Sequence, residues 1–224
     1  MIPLNRRFLL AGLAVTTLLG AAPAAPVLAQ GKNDNGLLFQ PNFNAADKTR
    51  IAKATAYLQG LSTAQGRFQQ TDFKGRLTQG NWFLERPGKM RFEYDAPYAL
   101  LMVADGKNVN MWDPRLQTFN RYPLGETPLS LFLSRQIRFD QGVIISSVSS
   151  SAQGFTLKAR DRRKQVEGYV SLTFGQDAAG NVILQSWTVV DQQNRPTTVQ
   201  LTSMTRGISL KPSLFVLNKP QGAK

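Results

Sequence analysis

The stretch GNWFLERPGKMRFEY, residues 80–94, decides the fold. Along a strand, side chains alternate between two faces. Trp82 and Leu84 therefore share a face, and Arg86 falls on it too. Pro87-Gly88 is a strong turn signal, and a second strand follows with Met90, Phe92 and Tyr94 on one face. The reading is an antiparallel hairpin with one apolar side and an arginine ending the apolar stripe.

The same rhythm extends outward. Strands are expected near 65–73, 76–86, 89–94, 98–104, 107–113 and 117–122, with turns at Lys74-Gly75, Pro87-Gly88, Asp95-Ala96-Pro97, Asp105-Gly106 and Asp113-Pro114. Connections this short force antiparallel neighbours. The rhythm breaks at GETPLSLFLSRQI, 125–137, where Thr127 can cap, Pro128 suits a first helical position, and Leu129, Phe132 and Leu133 share a face. Strands resume near 142–149, 153–160, 167–175, 181–190, 196–205 and 213–217. Ahead of the sheet, Asn44 caps a helix with Asp47 three residues on. Ile51, Ala54, Leu58 and Leu61 form its apolar stripe, and Gly60 marks its end. The class is mainly β with two amphipathic helices. A dozen antiparallel strands cannot stay flat, so the sheet curls into a barrel or part-barrel, and the helices bury their apolar faces on its concave side.

The chain has 224 residues, a net charge of +13, no cysteine and no histidine. The missing histidine excludes Ser-His-Asp and Cys-His catalysis and histidine metal sites. Residues 1–29 read as a cleaved signal peptide: Arg6-Arg7, an apolar run from Phe8 to Leu19, and Val27-Leu28-Ala29 before Gln30. The run is short for a membrane anchor, which is the alternative reading. The arginine pair leaves the general secretory and twin-arginine routes open. The expectation is export to a periplasm as a soluble protein. Without cysteine, the fold relies on its core and lacks the lipidated cysteine of a lipoprotein. Residues 30–43 read as a flexible arm, and 44–224 as a single domain.

The chain resembles the outer-membrane lipoprotein carrier proteins, the LolA family. The resemblance rests on GRFQQTDF, GNWFLERPGKMRFEY, LLMVADGKNVNMWDP, GETPLSLFLSRQ and SLFVLNKPQG, in that order, spanning roughly residues 50–222. It implies an incomplete β-barrel of about eleven strands with helices as a lid over an apolar cavity. It implies a periplasmic shuttle that needs no cofactor. Triacylated lipoproteins would come from an ABC-type releasing complex of the inner membrane, and go to an outer-membrane acceptor or to that membrane directly. The family's functional arginine, in its Arg-Pro pair, corresponds to Arg86. Met90 stands where the family often has a bulkier apolar residue, and residues 30–43 extend beyond its usual start.

Arg86 thus has two readings. It snorkels to solvent from a strand end, or it latches a lid helix by donating to the unpaired carbonyls of a helix terminus. Leu58, Phe68, Trp82, Leu84, Met90, Phe92, Leu100, Met102, Trp112, Leu129 and Phe132 are the candidates for an acyl-chain cavity, ordinary core being the alternative for each. The basic tip, with Lys158, Arg160, Arg162, Arg163 and Lys164, is a solvated hairpin or a contact for anionic lipid or an acidic partner. Three other functions compete. Glu85, Glu93 and Asp95 lie close enough for carboxylate chemistry, but the two glutamates alternate away from the apolar face. The positive charge is scattered without interleaved aromatics, which disfavours nucleic acid. A lipid-binding or sensor half-barrel with another client remains. A monomer is expected.

Overall fold

The computed structural model describes residues 42–127, 129–137, 143–161, 168–191 and 193–224. The expected signal peptide, almost all of the arm, Pro128, and Arg162, Arg163 and Lys164 of the basic tip lie outside the described residues. No described helix is long and apolar enough to cross a membrane.

Helix α1 spans Ala45–Gly60, and Asn44 Oδ1 accepts from the Asp47 backbone N–H at 2.8 Å. The sheet comprises β1 (Thr63–Thr71), β2 (Leu77–Glu85), β3 (Lys89–Tyr94), β4 (Leu101–Asp105), β5 (Asn108–Asp113) and β6 (Thr118–Pro123). After a one-turn helix α2 (Leu129–Phe132) come β7 (Val143–Ser151), β8 (Gly154–Asp161), β9 (Tyr169–Gln176), β10 (Val182–Val190), β11 (Pro196–Leu201) and the short β12 (Thr205–Arg206). The decisive stretch is a hairpin, with Trp82 opposite Phe92 and Leu84 opposite Met90.

The strands run β6-β5-β4-β3-β2-β1-β11-β10-β9-β8-β7, all neighbours antiparallel, with β12 beside β1. The end strands β6 and β7 do not pair, so the barrel is open. The sheet is nevertheless strongly curved. Phe92 on β3 and Trp187 on β10 lie four strand steps apart, about 19 Å along a flat sheet, yet their ring centroids are 6.3 Å apart. Register fixes the concave face: Ala64, Leu84, Met90, Ala104, Val109 and Tyr122 form one row, and Gly66, Trp82, Phe92, Met102 and Met111 the next. Helix α1 packs into this concavity, with Leu58 1% exposed and the Tyr57 ring edge-on to Phe174 of β9 at 6.2 Å. The half-barrel and the helix share one core.

Three expectations are corrected. Residues 213–217 do not form a strand: Pro212–Phe215 make a 3₁₀ turn, Pro212 sitting in its first turn. That turn covers the convex face, where Arg91 Nη1 donates to the Leu214 carbonyl at 2.8 Å and Lys89 lies over the Phe215 ring. The strand expected from 98 begins only at Leu101, because Ala99 takes a left-handed φ of 49° in the preceding turn. The strand expected over 196–205 ends at Leu201 and gives way to β12.

A candidate acyl-chain site under helix α1

Arg86 follows β2 at the end of the apolar stripe. Its Nη1 donates to the carbonyl of Leu58, and more weakly to that of Leu61 at 3.4 Å. Its Nη2 donates to the Ser134 carbonyl at 2.6 Å. These acceptors are the open C-terminal end of α1 and the segment just after α2. A helix leaves its last carbonyls unpaired, and a guanidinium suits them by charge and by its forked donors. Burial lowers the Arg86 pKa from its ordinary value, since desolvation disfavours the cation. The backbone strengthens the junction: Arg86 N–H donates to Ser62 at 2.7 Å and Gly88 N–H to Leu133 at 2.8 Å.

A second clamp lies beside it, one that the sequence reading misses. The Gln59 side chain donates through Nε2 to the Arg135 carbonyl at 2.9 Å and accepts through Oε1 from the Ile137 N–H at 2.8 Å. Nothing in its position on the helix marks it, because Gln59 is on the exposed side and finds a backbone distant in sequence.

The structure brings most of the apolar candidates together. Leu58, Phe68, Trp82, Leu84, Met90, Phe92 and Leu129 belong to one buried cluster, and Met102 and Phe132 pack half-buried against it. Phe68 sits edge-on to both Phe92 and Tyr94, with centroids at 5.1 and 5.0 Å. Leu100 lies apart, lining a pocket of ≈ 300 Å³ with Tyr94, Tyr98 and Gln70 at the opposite end of β2 from Arg86. Trp112 does not join them: it pairs with Leu101, which pairs with Glu93, on the convex face. Its neighbour Met111 takes the inward place opposite Met102.

The far half of the interior comes from strands that the sequence reading left out of the site. Leu157 and Phe174 are 0% exposed, and Leu184, Val199 and Trp187 join the same cluster. A bulge between Leu184 and Ser186 lets Leu184 and Trp187, three residues apart, face the same side. Simple alternation cannot reveal that pair. With α1 seated against both halves, the concave face is closed by side-chain packing.

Of the basic tip, Lys158 places its Nζ over the Tyr169 ring at 3.6 Å, and Arg160 is exposed. The carboxylates considered for catalysis, at β2 and β3, are spent on ion pairs: Glu85 with Lys89 at 2.6 Å, Glu93 with Arg91 at 2.5 Å, and Asp95 with Arg67. Arg67 holds the Asp95 carboxyl below the usual aspartate range. Among the described residues no three His, Cys, Asp or Glu side chains gather as metal ligands.

The chain is similar to known proteins over most of its length. The family model described as "Outer membrane lipoprotein carrier protein LolA" matches residues 59–218. An outer-membrane lipoprotein carrier protein of Pseudomonas syringae pv. syringae is 29% identical over 188 residues, covering 80% of this chain and 88% of its own. That of Chromobacterium violaceum is 27% identical over 184 residues, covering 79% and 87%. Among solved structures, a LolA superfamily protein from Nitrosomonas europaea aligns with a TM-score of 0.44 at 9% identity, covering 76% of this chain and 97% of its own. The match from Gln59 to Asn218 spans the whole sheet and both carbonyl partners of Arg86 that follow α1, and the chain belongs to the LolA family of outer-membrane lipoprotein carrier proteins.

Proposed function

We propose that this chain is a periplasmic chaperone that takes up the acyl chains of lipoproteins leaving the inner membrane and carries them to the outer membrane. The observation that carries the reading is Arg86, bound to carbonyls at the end of α1 and after α2 while the apolar face lies shut beneath them. Acyl chains need that face. Burying a methylene contributes about 0.8 kcal/mol, so half of a 16-carbon chain contributes gross several kcal/mol. Hydrogen bonds to a charged group are worth about 1.5–3 kcal/mol each. Loading displaces the helix, breaks those bonds, and leaves the cargo held less firmly than its apolar area alone would give. A carrier requires that balance, because cargo held too tightly is not passed on.

The clients in this reading are triacylated lipoproteins, donated by an ABC-type releasing complex and passed to an outer-membrane acceptor or to the membrane itself. The name of the relatives supports the client class. No cofactor and no catalytic step enter. The test is release: the purified protein, freed of residues 1–29, is added to spheroplasts making labelled lipoproteins. Labelled cargo in the soluble fraction, as a one-to-one complex, supports the reading. Absence of release, together with displacement of a bound fluorescent fatty acid, would instead assign a lipid-binding half-barrel with another client.

A further inference from the structure

Two buried donors on the concave side have no acceptor: Trp82 Nε1 and Arg86 Nε. Trp82 is 2% exposed. Its indole lies across Gly66, its partner on β1, where an added Cβ would stand 2.9 Å from Nε1. The Ser203 carbonyl closes on the same point but does not take the indole proton. One residue along, the Tyr57 hydroxyl of α1 donates to Met204 Sδ at 3.4 Å, and a thioether is a weak acceptor. Donors are thus in surplus beneath the C-terminal half of α1.

A phenylalanine would fill an apolar interior without stranding an N–H, and a stranded buried donor is costly. The cost is recovered when a bound molecule brings an acceptor. An acyl chain has none along its length, but its linkage does: an ester or amide carbonyl is an uncharged acceptor that can enter an apolar interior.

We propose that Trp82 Nε1, together with Arg86 Nε, receives carbonyl oxygens of the ester linkages that join acyl chains to the cargo. The site then recognises the acylated linkage, not hydrocarbon alone. This rests on the carrier reading and adds a specificity-determining residue to it. It also gives the opened latch a second use: the guanidinium that leaves the helix carbonyls remains beside the linkage.

The experiment compares a triacylated lipopeptide with its ether-linked analogue of equal chain length, and palmitate as a third ligand, each displacing a fluorescent fatty acid. The wild-type protein should hold the ester form about tenfold more tightly than the ether form, the scale of one or two hydrogen bonds. Trp82→Phe should reduce that preference to about twofold or less; because the lost apolar contact is common to the ester and ether ligands, it cancels in their ratio. The carbonyl stretch of a ¹³C-labelled ester should shift to lower frequency on binding wild type, and shift less with Trp82→Phe. Equal wild-type affinity for ester and ether overturns the proposal and leaves the carrier reading standing, as does an unchanged preference in Trp82→Phe. Tight binding of palmitate alone assigns the donors to a free carboxylate and overturns it too. Binding of none of the three defeats the carrier reading, and the proposal with it. Should Trp82→Phe fail to fold, the wild-type ester-to-ether ratio decides.

Discussion

Arg86 concentrates the chemistry of this protein because one side chain reaches two chain segments. Its partners are carbonyls, which cannot be removed by mutation, so the arginine is the place to intervene. In Arg86→Leu the concave face gains apolar surface and the closed state loses its charged hydrogen bonds. Cargo should load, and transfer to outer-membrane vesicles should fall at least about tenfold, since each lost bond is worth about 1.5–3 kcal/mol. The measurement is the fraction of labelled lipoprotein remaining with the mutant after incubation with acceptor membranes; normal delivery by the mutant refutes the latch. Gln59 predicts a milder effect. Gln59→Ala removes two neutral bonds to the segment after α2, so amides over 134–137 should exchange faster, with a loss of global stability of about 1 kcal/mol. Unchanged exchange there would show that Gln59 holds nothing. Trp112 teaches a different lesson at this scale. Side chains alternate along residues 108–113, so Met111 or Trp112 can face inward; only the pairing of Met102 with Met111 decides. That choice is made by a neighbouring strand and cannot be read from β5 alone.

Elements were legible where their ends carry chemistry. The meander could be read because Gly75, Gly88 and Gly106 hold left-handed φ values of 76°, 85° and 97° at its turns. Helix α1 could be read because Asn44 caps it. The terminal segment could not, since 213–217 has the composition of a strand but lies on the convex face, where it has no strand edge to join. It works as a cover instead, with Phe215 3% exposed. Phe215→Ala should cost about 3–5 kcal/mol, seen as a lower urea midpoint with an unchanged slope. A loss under about 1 kcal/mol would mean the segment lies on the sheet without stabilising it. The turns make a second prediction. Asp72, Asp105 and Asp191 each close a hairpin. Burial alone would raise their pKa values, but backbone N–H groups, with Arg76, Asn110 and Arg195 respectively, hold all three below the usual range. A depressed folded pKa gives stability that is present above the unfolded value of about 3.9 and is lost as pH falls through the folded values. The melting temperature should therefore drop between about pH 5 and 2, and Asp105→Asn should flatten that drop. A melting temperature independent of pH over that range would remove the turns from the stability of the sheet.

At the scale of the molecule, a curved sheet wraps helix α1, and the question is which part moves when the interior is occupied. The sheet is continuous from β6 to β7, and opening it would break rows of backbone hydrogen bonds. The helix is held differently: by side-chain packing at Ala54, Tyr57 and Leu58, by Arg86, and by Gln59. Packing of that kind is what an acyl chain can replace, since it offers the sheet the same apolar contact. The weak link is thus α1 together with the segment at 129–137, and the two are bound to each other through Arg86 and Gln59. They should leave as a unit. Hydrogen exchange of the empty protein and of its complex with a triacylated lipopeptide checks this. Amides of α1 and of 129–137 should exchange faster in the complex, to a similar degree, while β1, β2 and β3 keep or gain protection. Faster exchange in β6 or β7 with α1 unchanged would place the entrance at the end strands of the half-barrel and leave the helix as fixed core.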